Sequence, residues 1–314
     1  MRHSEVARIE AALGRTVVGS RTLAGGFSHE TCLLTLPSGQ LVARLGGSDP
    51  AIEAAVMKAA SRFVPVPRVE LVIPAADGGR PAMVLDFVEG TPLSQVLADS
   101  QHDDTALRDL GAVVGAVIAA VGAVTLDRPG FFTDASLAVG NEPAWSEQLP
   151  EFAVTCMAKV PRERLDRTTR QAWANLCAAC APALTTIDRE ARLNHADANP
   201  KNVLVARNGD GWRVTALLDW EFSFSGCSYG DAANMVRFAA DYPPGFTDGF
   251  LSAFAEHQPA DQPLADNWLY LGKVLDMFAL SDLVTRAPGH EVADQAAEVI
   301  KLWVASGVPL SEHD

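Results

Sequence analysis

"HADANPKNVLVARNGDGWRVTALLDWE", His195 to Glu221, is the stretch on which the reading of this chain turns. "VLVAR" and "WRVTALLD" are strand-like, and "NGDG" between them is a strong hairpin signal. Folding the hairpin about Gly209 and Asp210 sets Asn202, just ahead of the first strand, opposite the end of the second, where Asp219 stands. Side chains opposed in this way lie about 5 Å apart. Asp197 lies upstream in a loop stiffened by Pro200. An Asp and an Asn converging at a hairpin's open end make a hard, oxygen-rich site. That suits Mg2+, which takes few protein ligands and completes its shell with water and phosphate oxygens. A second carboxylate nearby, not tied to the metal, can orient a hydroxyl. These are the parts of phosphoryl transfer, where catalysis is mostly positioning and charge neutralisation. Each residue alone reads mostly as a turn cap, a task short polar side chains do well. The joint spacing favours the chemistry.

That spacing, H-x-D-x-x-x-x-N, is the catalytic-loop pattern of kinases, and His195, Asp197 and Asn202 match it position for position. "LNHADANPKNVLV" followed by "ALLDWE" resembles the aminoglycoside phosphotransferase family, small-molecule kinases in which the loop commonly reads H-G-D-x-x-P-x-N and the metal motif D-W-E. "LAGGFSHET" resembles that family's glycine-rich turn, "LVARL" its third strand, "AIEAAVMKAA" the helix after it and "AMVLDFVEGTPL" the hinge between lobes.

The resemblance implies an α+β, protein-kinase-like two-lobed fold, with a small antiparallel-sheet N-lobe and a larger, mostly helical C-lobe. It implies ATP or GTP and Mg2+ as cofactors. Carried over by position, Asp197 orients or deprotonates the acceptor hydroxyl, and Asn202 and Asp219 hold Mg2+. Gly25, Gly26, Phe27 and Ser28 cover the nucleotide phosphates, and backbone groups near Asp86 and Val88 hold the purine. His195 braces the loop, and Asp231 in "SYGDAAN" anchors it. Asp231 has a local alternative as N-cap of a helix over 232–240. Two positions depart from the pattern. Arg44 stands where kinases usually carry a phosphate-binding lysine, which puts its pairing with Glu53 in question; arginine can also grip phosphate, bidentately. Ala196 replaces the common glycine.

The rest of the chain agrees with two lobes. Residues 1–90 hold an amphipathic helix, "MRHSEVARIEAALG", then three strands, of which "TCLLTL" and "QLVARL" flank a Pro-Ser-Gly turn. A helix follows, entered through Asp49 and Pro50, then the extended "VPVPRVELVIP" and the strand "PAMVLDFVEG". Across 91–314 helical periodicity dominates, over about 92–100, 104–126, 143–157, 163–184, 232–240, 246–257, 264–286 and 291–306. Leu110–Leu126 carries no charge and three glycines; bounded by Asp109 and Asp127 and shorter than the about 20 residues a membrane span needs, it reads as a helix buried on all sides.

A net charge of −14, from 39 acids against 25 lysines and arginines, argues against nucleic acid or anionic membrane as the main partner. Five cysteines at irregular spacing are no disulfide framework, and Cys177 and Cys180 read as small apolar residues of an Ala-rich helix. The expectation is a cytoplasmic protein, monomer or homodimer. Its acceptor is small, because only 11 residues separate Asp219 from Asp231 and no A-P-E follows. The acid excess tilts the reading towards a cationic or polyhydroxylated antibiotic. Metabolites of the choline, homoserine, methylthioribose or fructosamine type remain open. In "DNWLYLGKVLDMFALSDLV" an apolar helical stripe ends in Asp282, a candidate for the acceptor site with Asp276 and Asp266 behind it. Two further readings stand beside the kinase: a nucleotide-binding regulator without turnover, suggested by Arg44, and a metal-dependent hydrolase using His195, Asp197 and Asp219.

Overall fold

The apolar runs in "ETCLLTL" and "GQLVARL", separated by a Pro-Ser-Gly turn, make adjacent antiparallel strands of one sheet. In the computed structural model, which describes residues 1–23, 29–47, 49–75, 79–99, 101–209 and 211–310, they are β2 and β3. The smaller lobe runs α1 (His3–Leu13), β1 (Gly19–Thr22), β2 (Glu30–Leu36), β3 (Gly39–Leu45), α2 (Pro50–Ala60), β4 (Val69–Ile73) and β5 (Ala82–Asp86). Its sheet is antiparallel, ordered β1-β2-β3-β5-β4. One face packs on Ile9 of α1 through Leu34, Leu41, Ala43, Leu45 and Val84. The other face, with Met83 and Leu85, joins Val56, Met57 and Ala60 of α2 in a core continuous with the larger lobe.

The larger lobe begins with β6 (Thr91–Pro92), α3 (Leu93–Ala98) and α4 (Asp104–Val121), which exposes Asp104, Thr105, Arg108 and Asp109 and is buried or half-buried from Leu110 onward. Next come β7 (Gly130–Phe131), α5 (Trp145–Lys159) and α6 (Arg167–Cys180), the last extended by a 3-10 turn to Thr186. Cys177 and Cys180 sit on α6 as buried free thiols. Then follow β8 (Arg192–Asn194), β9 (Val203–Asn208), β10 (Gly211–Leu217), β11 (Phe224–Gly226), α7 (Tyr229–Met235), α8 (Pro244–Glu256), α9 (Trp268–Leu283) and α10 (Glu291–Ser306). Among the described residues no helix is long and apolar enough to cross a membrane.

The expected hairpin forms: β9 and β10 pair from Gly211 opposite Asn208 to Leu217 opposite Val203, with a bulge at Thr215. β6 pairs with β9, so the chain leaving β5 joins the larger lobe against this hairpin. Gly90 makes the passage workable, since a Cβ there would come within 2.6 Å of the Thr215 hydroxyl. A second sheet, β7-β11-β8, was not expected from the sequence. Its strands are two or three residues long, too short to show a period. They matter because β8 feeds directly into His195, and β11 follows Glu221 after two residues.

The helix expected over 232–240 is displaced: α7 spans 229–235, so Asp231 lies inside its first turn rather than at its N-cap.

Candidate active site

The loop between β8 and β9 is held from below by Asp231. This carboxylate, 1% exposed, accepts two consecutive backbone amides, from His195 and Ala196, at 2.8 Å each. Burial pushes Asp231 up to about 7, against the pull of those two amides. The turn that aims both amides at one carboxylate requires a left-handed residue, and Ala196 supplies it with φ +66°. His195 braces the loop from inside. Its Nε2 bonds the Leu218 carbonyl at 2.9 Å, so Nδ1 is the nitrogen free to accept, and the Asp197 amide lies 3.2 Å from it. Its ring lies 4.5 Å from that of Trp220, and burial holds its pKa down to about 4, leaving it neutral.

Asp197 is the loop's reactive-looking group. Its carboxylate accepts from Asn199 Nδ2 at 2.9 Å and from Asn202 Nδ2 at 2.7 Å. Burial raises it to about 6; the Asn199 bond opposes this, Asp219 adds to it, and Arg237 and Asn202 oppose it. Because Asn202 directs its amide nitrogen at Asp197, its carbonyl oxygen is the atom left to face a cation. The hairpin delivers the rest: the Leu218 amide donates to the backbone carbonyl of Asn202 at 2.8 Å, with Asp219 one residue beyond. Asp219 also has positive φ, +67°. An amide oxygen and a carboxylate at this end are a donor set that fits Mg2+.

Asp219 and Glu53 are joined through Arg44. From β3, the guanidinium bonds Glu53 of α2 through Nη1 and Asp219 through Nη2, and Nη2 also lies 3.0 Å from His29 Nδ1. Glu53 further accepts the Trp220 amide at 3.2 Å. The pairing that Arg44 put in question is therefore made. Burial works against the charge on Arg44, but Glu53, Asp219 and Glu221 outweigh it and raise its pKa. Burial likewise raises Glu53, opposed by Arg44. One arginine thus bridges a strand and a helix of the small lobe to the D-W-E segment of the large one.

The remaining expected residues fall as follows. Asp86 ends β5, with its side chain on Arg68 at 3.1 Å, and Val88 is half-buried in the segment leading to β6. Gly25, Gly26, Phe27 and Ser28 lie outside the described residues. The acid candidates for the acceptor lie on or just ahead of α9. Asp276 is buried and engaged by both Arg237 nitrogens that face it, Nε at 2.8 Å, so it presents no open carboxylate. Asp282 is at the wet end of its stripe, paired with Arg286 at 3.0 Å, and Asp266 is exposed in the turn ahead of α9.

The sequence profile of the phosphotransferase enzyme family (APH) matches residues 20–265, which contain every element of this site. The chain belongs to the phosphotransferase enzyme family. It is a small-molecule kinase of the protein-kinase-like fold, as the loop and D-W-E motifs lead one to expect. No curated protein matches its sequence. Solved structures share the fold at low identity. Aminoglycoside phosphotransferase APH(4)-Ia aligns with a TM-score of 0.72 and 19% identity, over 98% of this chain and 99% of that one. A GDP complex of an aminoglycoside 2'-phosphotransferase-IIIa mutant aligns at 0.68 and 17%, over 96% and 97%. A putative fructosamine-3-kinase from Thermobifida fusca aligns at 0.63 and 17%, over 96% and 100%.

Five residues of this site had no role in the sequence reading, among them His29, which lies in the quoted "LAGGFSHET". Trp220 and Glu221 lie inside the quoted D-W-E motif, so a signal was present. Asn199 lies in the quoted loop. Arg237, buried beside Asp276 and acting on Asp197, had no signal at all, because nothing local marks which arginine will turn inwards.

Proposed function

We propose that this kinase transfers the γ-phosphate of ATP or GTP to a hydroxyl of a small molecule, with Asp197 as the group that receives the hydroxyl's proton. The observation that carries the reading is the Asp197 carboxylate, buried and oriented by Asn199 and Asn202 on a loop anchored by Asp231. A base with pKa near 6 is well matched to proton transfer near neutrality. Asn202 and Asp219 hold Mg2+, which supplies charge neutralisation to the phosphates when bound. Arg44 turns its guanidinium from Asp219 to a phosphate oxygen while Glu53 keeps its stem in place. Gly25, Gly26, Phe27 and Ser28 cover the phosphates, and the backbone near Asp86 and Val88 accepts the base. Residues 1–90 act as the nucleotide-covering lobe and 91–314 as the catalytic and acceptor-binding lobe.

For the acceptor, a hydroxylated antibiotic is the first class to test. A ternary complex of an APH(4)-Ia mutant with ADP and hygromycin B shares the fold, at a TM-score of 0.70 and 16% identity. The fructosamine-3-kinase likeness makes sugar metabolites the second class. Recognition of a polycation through Asp276 is not part of this reading, since Arg237 occupies that acid.

The test is ADP release against a panel of both classes, with ATP and with GTP. Asp197→Ala lowers turnover by about 10²–10⁴ and leaves nucleotide binding nearly intact. Asp219→Ala removes the Mg2+-dependent part of nucleotide binding. Full activity in either variant defeats the assignment; nucleotide binding without ADP release from any acceptor favours a regulator instead.

A further inference from the structure

We propose that the acceptor of this kinase carries a flat apolar ring, and that the ring lies against a wall of phenylalanine and tryptophan side chains beside the catalytic loop. The ring site rests on the reading above, in which Asp197 meets the acceptor hydroxyl, and names the kind of molecule that brings it. The wall begins at the loop itself. Phe224 of β11 stands opposite Asn194 of β8, the residue before His195, so the two side chains share a sheet face. The Ser223 hydroxyl, next to Phe224, donates to the His195 carbonyl at 3.4 Å. From Phe224 the rings continue without a break. Trp145 of α5 lies 5.0 Å away and Phe131 of β7 5.7 Å; Phe278 of α9 lies 5.9 Å from Trp145, and Phe152 of α5 5.3 Å from Phe278. These contacts are tilted or edge-to-face and none is stacked, so ring faces stay open to a further ring. Phe131 is 47% and Phe152 37% exposed, and Phe224 and Phe278 are half-buried. A contiguous run of part-exposed rings is the kind of surface that a ligand covers.

One polar atom marks the same place independently. Asn194 Nδ2 donates to the Arg192 carbonyl at 2.9 Å, which fixes the other end of the amide as its oxygen. That oxygen, Oδ1, is buried and has no partner among the described residues. It points towards Gly230, half-buried in the first turn of α7, where a Cβ would lie 3.9 Å from it and 3.7 Å from Leu275, one turn before Phe278. A buried oxygen without a donor is costly. An N–H or O–H on the ligand, beside its ring, supplies the donor. Charge argues against a polycation here. Helix α9 carries two acids and both are paired, Asp276 with Arg237 and Asp282 with Arg286. The acids of α5, Glu147 and Glu151, fall on the opposite side of that helix from Trp145 and Phe152. An aminosugar with several ammonium groups would meet rings where it needs carboxylates.

The experiment uses the full chain and 2-amino-1-phenylethanol, which joins an aromatic ring, a hydroxyl and an amine. Its counterparts without the ring are 2-aminoethanol and glucosamine. Binding is read by saturation-transfer NMR without nucleotide. The phenyl protons are expected to take the strongest saturation, and the two other probes to bind about tenfold more weakly. Phe131→Leu and Phe278→Leu, which keep apolar bulk and remove the ring, weaken the aromatic probe about three- to tenfold. Phe131 is nearly half exposed, so its variant does not depend on how the core tolerates the change at Phe278. Equal binding of all three probes, binding of none, or unchanged binding in Phe131→Leu overturns the proposal. Turnover separates it from the reaction. ADP release with glucosamine and none with the aromatic probe keeps the kinase and overturns the ring site. Ring binding that Phe131→Leu weakens, with no ADP release from any acceptor, keeps the ring site and removes the reaction instead.

Discussion

Ala196 shows how a single position records the demands of the loop around it. Sequence comparison with the kinase-like pattern marks it as a replacement for glycine, and nothing more. The structure gives the reason glycine is usual there: φ is +66°, and only that turn points the His195 and Ala196 amides at the same carboxylate. A Cβ in the left-handed region costs roughly 1–2 kcal/mol, part of which glycine's greater freedom in the unfolded chain returns. Ala196→Gly is therefore expected to stabilise the protein by about 0.5–1 kcal/mol, read as a higher urea midpoint at unchanged slope. A lower midpoint would mean that the loop holds alanine without strain. Asp231 is a similar case. Local reading offered a helix cap; the long-range contact with the loop decided against it.

At the scale of elements, α4 and α8 show what the uncharged run was for. The three glycines of Leu110–Leu126 look, in sequence, like a dilution of hydrophobicity. In the fold Gly111 and Gly115 lie where α8 crosses, and a Cβ on either would strike the carbonyl of Phe246 or Phe250. Gly245 and Gly249 of α8 answer them, facing the backbone of Asp104 and Arg108. The helices thus meet backbone to backbone, with Phe246, Phe250 and Phe254 fully buried beside the crossing. Gly115→Ala should force them apart and cost about 1–3 kcal/mol, the usual range for overpacking, although alanine is the better helix former. Calorimetry checks the sign: an unchanged or raised melting temperature would show that the crossing can yield. The burial of this helix was legible from its composition. Its partner was not, because glycine says that something comes close without saying what.

Across the whole molecule, polar networks complement the cores. The small lobe's outer core is closed by α1, and Glu5 is its polar tie. Arg80 donates to both Glu5 oxygens, at 2.9 and 3.1 Å, and to Glu30 at 2.6 Å, while Arg2 adds a bond at 2.7 Å. The Arg80 hydrogen bonds, helped by Arg2, hold the Glu5 carboxyl well below its ordinary value of 4.5. A depressed acid stabilises the fold above its unfolded pKa and loses that contribution as pH falls. Glu5→Gln should therefore melt below the wild type near neutral pH, with the gap closing as pH drops through 4.5 and beyond. A gap that is constant with pH would assign the effect of Glu5 to packing. Between the lobes, Arg44 plays the corresponding part, tying Glu53 of the small lobe to Asp219 of the large one.

The sequence by itself determined the β9–β10 hairpin, the loop spacing, the order of the small lobe's elements and the order of the helices, though not the short strands of the β7-β11-β8 sheet. Each is written in near neighbours: "NGDG" bends the chain, Pro200 stiffens the loop, and apolar periods assign strand or helix. What only the tertiary structure decided is which distant groups meet. Arg44 finds Asp219, Arg237 closes on Asp276, and His29 comes to rest beside Glu221. Such pairings depend on how both lobes pack at once, and no local stretch carries that sum.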